Sequence, residues 1–302
     1  LQLKILPIPD LSLVKSDAVL KADAKKILKN LEKITDSTFH LSGHENLKAF
    51  EEYAANHNEL TKKRLDLIQN HLVVAMHRPE RARFWIPLAG FQNQRITGSS
   101  NGSLFADSKP GATSGRDEVE ATLTSTDQEQ YISLSGRLKP NYAEARPDSS
   151  ITDVRPGDSA AHYGSDLWII KKSVLEQRST WTPQDSLGPG TYPKRNQSFD
   201  DIFIPWKYRS LMIPFSLSEP YSFRASGRDE NFKLENLKRW SNGSRYFEVQ
   251  IFGPLTIDDV QAFHFQKNPP DKELYDLLKS KNIEVWDERQ WPPKPYHGED
   301  PK

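Results

Sequence analysis

The order of segments along this chain predicts an α+β fold. Helical periodicity opens it, short strands and irregular helices follow, and no regular βαβ alternation is visible. Three observations carry the prediction. Apolar residues recur at helical spacing from residue 16 to 71. The run Leu72-Val73-Val74-Ala75-Met76 then switches to strand character. Near the other end, Tyr246-Phe247-Glu248-Val249-Gln250-Ile251 alternates polar with apolar residues, and Gly253-Pro254 stops it.

Val19, Leu20, Ala24, Ile27, Leu28 and Leu31 follow the Ser16-Asp17 cap signal, and Leu60, Leu65, Ile68 and Leu72 continue one stripe over residues 46–70. The strand after them delivers His77-Arg78 before Pro79. Residues 91–110, rich in Gly, Ser and Asn, read as loop, and residues 115–130 as helix. Residues 141–146 form a short strand ending at Pro147-Asp148-Ser149-Ser150. Residues 159–164 resemble a short helix leading into a strand at 166–171. Residues 177–220, full of Pro, Trp and Tyr, suggest irregular loops on a sheet. The C-terminal part gives the Glu248 strand, a helix at 258–262, a strand at 263–266, a helix at 271–281 and a strand at 283–286.

Composition narrows the function classes. The 302 residues balance 41 Lys plus Arg against 41 Asp plus Glu, and no long basic run stands out, so neither nucleic acid nor a membrane surface is an expected partner. Cysteine is absent, which removes thiol nucleophiles, disulfides and thiolate metal sites. No apolar run approaches the ~20 residues that a spanning helix needs. His40 and His44 are separated by Leu41-Ser42-Gly43 with no carboxylate between them, and neither a His-Glu-x-x-His nor a phosphate-binding glycine motif occurs, so no metal is expected.

Gly98-Ser99-Ser100-Asn101-Gly102 matches the spacing of a nucleophile elbow. An elbow needs a buried strand before its Ser and a helix after it. Here Gln92, Asn93, Gln94 and Arg95 precede and Pro110 follows, so a surface loop, or a backbone cradle for phosphate oxygens, competes with a serine hydrolase using Ser100. His77 and Arg78 are neighbours in a strand, so their side chains leave opposite faces; a guanidinium there suits a phosphate. Glu248 has a polar residue two positions to either side, Tyr246 and Gln250, so its face is either solvated surface or the lining of a cleft.

Taken in order, these pieces resemble the mono-ADP-ribosyltransferase toxins and effectors. In that superfamily an early strand ends in Arg, a middle element is Ser-rich and a late strand carries the catalytic Glu. Val74-Ala75-Met76-His77-Arg78 looks like the first and Tyr246-Phe247-Glu248-Val249-Gln250-Ile251 like the last. The segment from Ser159 to Ile170 is similar to the helix and strand after the Ser-rich element. The resemblance covers about residues 70–290. It implies a split β-sandwich, with a helical region at 1–70, a catalytic domain at 71–292 and a tail at 293–302.

It further implies NAD as a substrate, no metal, and transfer of ADP-ribose to a host protein by a secreted, host-delivered, monomeric enzyme. Glu248 would be catalytic, aided by Arg78 and Tyr246. Arg78, His77, Ser99, Ser100, Asn101, Gly102, Ser149, Ser150 and Tyr163 would line the dinucleotide, and Trp240 and Gln250 would meet the acceptor. Arginine-specific members carry Glu or Gln where this chain has Tyr246, so the expected acceptor is a hydroxyl side chain, for instance of a small host protein such as ubiquitin. Ser149-Ser150 fits the order of the Ser-rich motif, with Ser99-Ser100 as the other candidate. A silent protein-binding module on the same fold is the third reading, beside the transferase and the hydrolase.

Overall fold

In the computed structural model, the residues described are 16–38, 44–93, 115–124, 126–148, 150, 163–182, 203–213 and 247–298. Helical spacing at the start becomes helices α1 (Asp17–Thr38), α2 (His44–His57) and α3 (Glu59–Asn70). Ser16 Oγ accepts from Val19 N–H at 3.4 Å and Asn58 Oδ1 from Thr61 N–H at 2.8 Å, so α1 and α3 each begin on a side-chain cap. Strand β1 (Leu72–Arg78) follows, ended by Pro79. A 3-10 turn at Glu80–Phe84 and the single turn α4 (Ile86–Ala89) come next. Helix was expected to run through 115–130. Two pieces are present instead, α5 (Gly115–Leu123) and α6 (Gln128–Ser133), because Asp127 caps a new helix by accepting from the Glu129 and Gln130 N–H groups.

The remaining elements are β2 (Asn141–Pro147), β3 (Asp166–Ile170), α7 (Lys172–Arg178), β4 (Ser179–Thr182), β5 (Ile204–Pro205), β6 (Phe247–Ile251), β7 (Val260–Phe265), α8 (Lys272–Ser280), β8 (Glu284–Asp287) and β9 (Lys294–Pro295). They make one nine-stranded sheet in the order β5-β4-β6-β2-β1-β3-β7-β8-β9. Every pairing is antiparallel except β7 with β8, where α8 supplies the crossover that parallel neighbours require. The fold is therefore mixed helix and sheet, as expected. The described strands belong to a single sheet, so a division into two sheets is not seen among the described residues.

Several boundaries move. The expected helix at 258–262 is a 3-10 turn at Ile257–Asp259, closed by a Thr256/Asp259 capping box, and the strand after it already starts at Val260. The stretch 177–220, expected to be irregular, contains β4, β5 and a 3-10 segment at Trp206–Met212. Lys294–Pro295 adds an edge strand, and Tyr296 packs edge-on against Phe265 and Tyr275, so the expected tail belongs in part to the body.

Alternation sorts the sheet into two unlike faces. One carries Val74, Met76, Trp168, Ile170, Trp181, Val249, Ile251, Phe263 and Phe265, packed with Leu65 and Ile68 of α3 and Leu274 and Leu278 of α8. The helices at 1–70 are thus part of the core, and α1 adds Leu20, Ala24 and Leu31 to a second cluster with Val119, Phe203 and Phe252. The opposite face has an apolar strip at Ala75, Leu167, Ile169 and Ala262, with Val73 and Trp286 packed against it. On both sides of that strip it is polar.

Candidate functional site

The polar part of this face is built from four neighbouring strands. Register aligns Glu144 of β2 with Glu248 of β6, and Glu248 in turn with Thr182 of β4. Opposed residues in adjacent strands point the same way, so the two carboxylates stand side by side. Gln250 Nε2 donates to Glu248 Oε1 at 2.9 Å and to Thr182 Oγ1 at 3.1 Å, while its own Oε1 accepts from Thr180 Oγ1 at 2.9 Å. On the other flank, His77 Nε2 lies 2.9 Å from Glu144 Oε2, and its Nδ1 lies 3.3 Å from the carbonyl oxygen of Gly164.

None of His77, Glu144, Glu248, Gln250, Thr180 and Thr182 is more than 5 % exposed. This face is therefore not solvated surface, and burying two carboxylates is tolerable only with donors arranged around them. The strand ends are pinned as well. Beyond β6, the Arg178 guanidinium donates to the Phe252 carbonyl at 3.2 Å and the Pro254 carbonyl at 2.7 Å, and it pairs with Asp259 at 3.5 Å. Burial, opposed by Asp259, lowers the pKa of Arg178. At the far end of β1, Gly164 approaches so closely that a Cβ there would lie 2.0 Å from the Arg78 carbonyl carbon, at a φ of +150° that side chains rarely adopt.

A second polar group occupies the same face. Arg146, two residues beyond Glu144 on β2, donates to Glu288 Oε2 at 3.2 Å. His264 Nδ1 of β7 lies 2.8 Å from Glu288 Oε1, and Gln266 Nε2 donates to Oε2 at 3.3 Å.

The sequence-derived candidates fare unequally. Glu248 and Gln250 share one face and a hydrogen bond, as their spacing suggested. His77 joins them through Glu144. Arg78, the next residue, leaves from the opposite face, which corrects its expected place beside Glu248; strand alternation allows only one of the two neighbours to reach that face. Arg78 Nη1 donates to the His77 carbonyl at 2.8 Å, and burial lowers its pKa to about 10, so it stays cationic at neutral pH. Ser150 is likewise not brought to Glu248. It lies past the end of β2 that adjoins His71, and its hydroxyl donates to Asp148 Oδ1 at 2.6 Å. Tyr163 is 37 % exposed, immediately before the glycine that His77 touches. Ser99, Ser100, Asn101, Gly102, Ser149, Trp240 and Tyr246 lie outside the described residues.

Glu144 was missed by the sequence reading. Its signal was present: Tyr142, Glu144 and Arg146 alternate with Ala143 and Ala145 in the same period-2 pattern that singled out Glu248. Among the described residues, no group of three His, Asp or Glu is placed to hold a metal ion. No helix among them is long and apolar enough to cross a membrane. No protein-family model and no curated protein matches this chain.

Proposed function

We propose that this protein cleaves the nicotinamide–ribose bond of NAD and transfers the ADP-ribosyl group to a hydroxyl side chain of a protein acceptor. One observation carries the reading: the Glu248 carboxylate is fixed on the polar sheet face by the Gln250 amide at 2.9 Å, inside a buried layer that includes a second carboxylate. As the bond from C1 of the ribose to the nicotinamide nitrogen lengthens, its electron pair leaves with the ring and positive charge builds on the sugar. A preoriented carboxylate beside that carbon stabilises the charge without having to reorganise. Gln250 and the Thr180–Thr182 hydroxyls hold Glu248 in one orientation, which is what such a role requires.

The resemblance in the order of the strand motifs supports the same reading, with one change. Arg78 is on the other face from Glu248, so the residue of β1 that serves this site is His77. Incubation with NAD and a eukaryotic lysate, following nicotinamide release, tests the proposal. Glu248→Gln is expected to lower release by roughly 100-fold or more, the loss typical of removing one transition-state partner, with little change in the melting temperature. Undiminished turnover in that variant, or no release by the unaltered protein, overturns the reading.

A catalytically silent binding module is the second reading, since a Glu248 only 4 % exposed leaves a substrate little access to its carboxylate. It predicts partner capture without nicotinamide release, and the same assay separates the two.

A further inference from the structure

Glu144 has no part in the reaction as written so far, yet it is held as carefully as Glu248. Two buried carboxylates on opposed positions repel, and each is steadied by its own donor: Glu248 by Gln250 and Glu144 by His77, both at 2.9 Å. The backbone decides the form of the imidazole. Gly164 offers His77 Nδ1 only a carbonyl oxygen, at 3.3 Å, and a carbonyl can only accept, so Nδ1 carries a proton. The Glu144 carboxylate at 2.9 Å from Nε2 is an acceptor as well, so Nε2 also carries a proton, and the doubly protonated ring is anchored at one nitrogen while the other orients the carboxylate.

We infer that Glu144, positioned by His77, is the general base for the attacking hydroxyl; this rests on the transferase reading above. The bond from C1 of the ribose to nicotinamide breaks, and its electron pair departs with neutral nicotinamide. Glu248 steadies the charged sugar, the acceptor oxygen bonds to C1, and the acceptor's proton passes to the Glu144 carboxylate. Glu144 holds that proton until the products leave and then gives it up. The two carboxylates thus divide the work, one facing charge and the other taking the proton. They stand on adjacent strands, where opposed Cβ atoms lie about 4.5–5.5 Å apart, close enough to serve one reacting carbon.

Azide separates a base from a strut, because it is an anionic nucleophile with no proton to lose. Nicotinamide release from NAD is measured for the full chain and for Glu144→Gln and Glu248→Gln, with and without sodium azide. Glu144→Gln is expected to cut release to water or a hydroxyl acceptor by roughly 100-fold or more, the usual contribution of a general base, and azide to restore most of it. Azide is expected to leave Glu248→Gln unrescued. His77→Asn, which removes the positioning group, is expected to respond to azide as Glu144→Gln does.

If Glu144→Gln does not fold, as judged by its circular-dichroism melt, Glu144→Asp draws the carboxylate back by one methylene and is read in the same way. Full activity in the Glu144 variant, or a loss that azide does not repair, overturns the inference while the NAD reading stands. An unaltered protein that releases no nicotinamide overturns both.

Discussion

Arg146 on β2 and Glu288 just beyond β8 meet at 3.2 Å, although β1, β3 and β7 lie between their strands. Laid flat, four strand spacings of about 4.8 Å would hold those backbones roughly 19 Å apart. The pair can close only because the sheet coils towards its polar face, over the strip of Ala75, Leu167, Ile169 and Ala262. Coiling makes this face concave, which suits a site more than a flat sheet would.

This buried pair yields the first prediction. Both side chains are 6 % exposed, and Glu288 also receives His264 and Gln266. Arg146→Met is expected to cost about 3–5 kcal/mol, because it leaves a buried carboxylate short of its cation. Arg146→Met combined with Glu288→Gln is expected to cost less than the sum of the two single changes. A double-mutant cycle by urea denaturation measures the coupling, and additive costs would contradict a shared network.

Gln250→Leu keeps the volume of the side chain but removes the amide between Glu248 and the two threonines. Leaving those buried partners short of a hydrogen bond is expected to cost about 1–3 kcal/mol. Nicotinamide release is expected to fall by more than the stability loss explains, since Glu248 would then sample several orientations. Release that stays at the unaltered level at a temperature where the variant is folded would separate Gln250 from the site.

Gly164→Ala forces a Cβ to within 2.0 Å of the Arg78 carbonyl carbon. The contact is with backbone, so no side-chain rotation relieves it. A loss of at least ~3 kcal/mol, or failure to fold, is the expected result, since both strain and overlap act at this one position. A melting temperature within experimental error of the parent would show that Gly164 and β1 are not packed as described.

Arg83 and Asp166 give a pH test. Arg83 Nε and Nη2 each donate to Asp166 at 2.6 Å, and Asp166 is fully buried. Burial raises the pKa of Asp166 above its ordinary value, opposed by Arg83. With a raised pKa, the folded state holds its proton more readily than the unfolded chain. Asp166 therefore costs nothing below its unfolded pKa and destabilises the fold as pH rises through the folded value. Arg83→Leu removes the opposition and raises that pKa further. Its stability deficit relative to the parent is expected to be largest near neutral pH and to shrink on acidification through the carboxyl range. Denaturation curves across that range check the sign, and a deficit independent of pH would contradict it.

Much of the fold was legible because periodicity alone sets it. The α1 stripe, β1 ending at Pro79, β2, β3 and the helix at Lys272–Ser280 all follow from local spacing and caps. Strand β4 was not legible. Ser179-Thr180-Trp181-Thr182 is four residues long with a single large apolar side chain, and what makes it a strand is pairing with β6, a segment far along the chain. The site divides in the same way. The pairing of Glu248 with Gln250 could be read from i and i+2 spacing, whereas choosing His77 over Arg78, and placing Glu144 beside Glu248, required knowing which strands are neighbours.

Strand β6 slots between β4 and β2, so Glu248 reaches its partners only when Phe247–Ile251 pairs with segments made much earlier in the chain. Such non-local pairing is slow, and until it happens β2 presents an open edge that invites wrong partners. During synthesis, helices α1 to α3 and strands β1 to β3 can assemble while the carboxylate of β6 has yet to leave the ribosome. On the function proposed above, a nascent chain is therefore inert until β6 has emerged and paired. Any truncation before residue 247 removes Glu248 and leaves the edge of β2 bare.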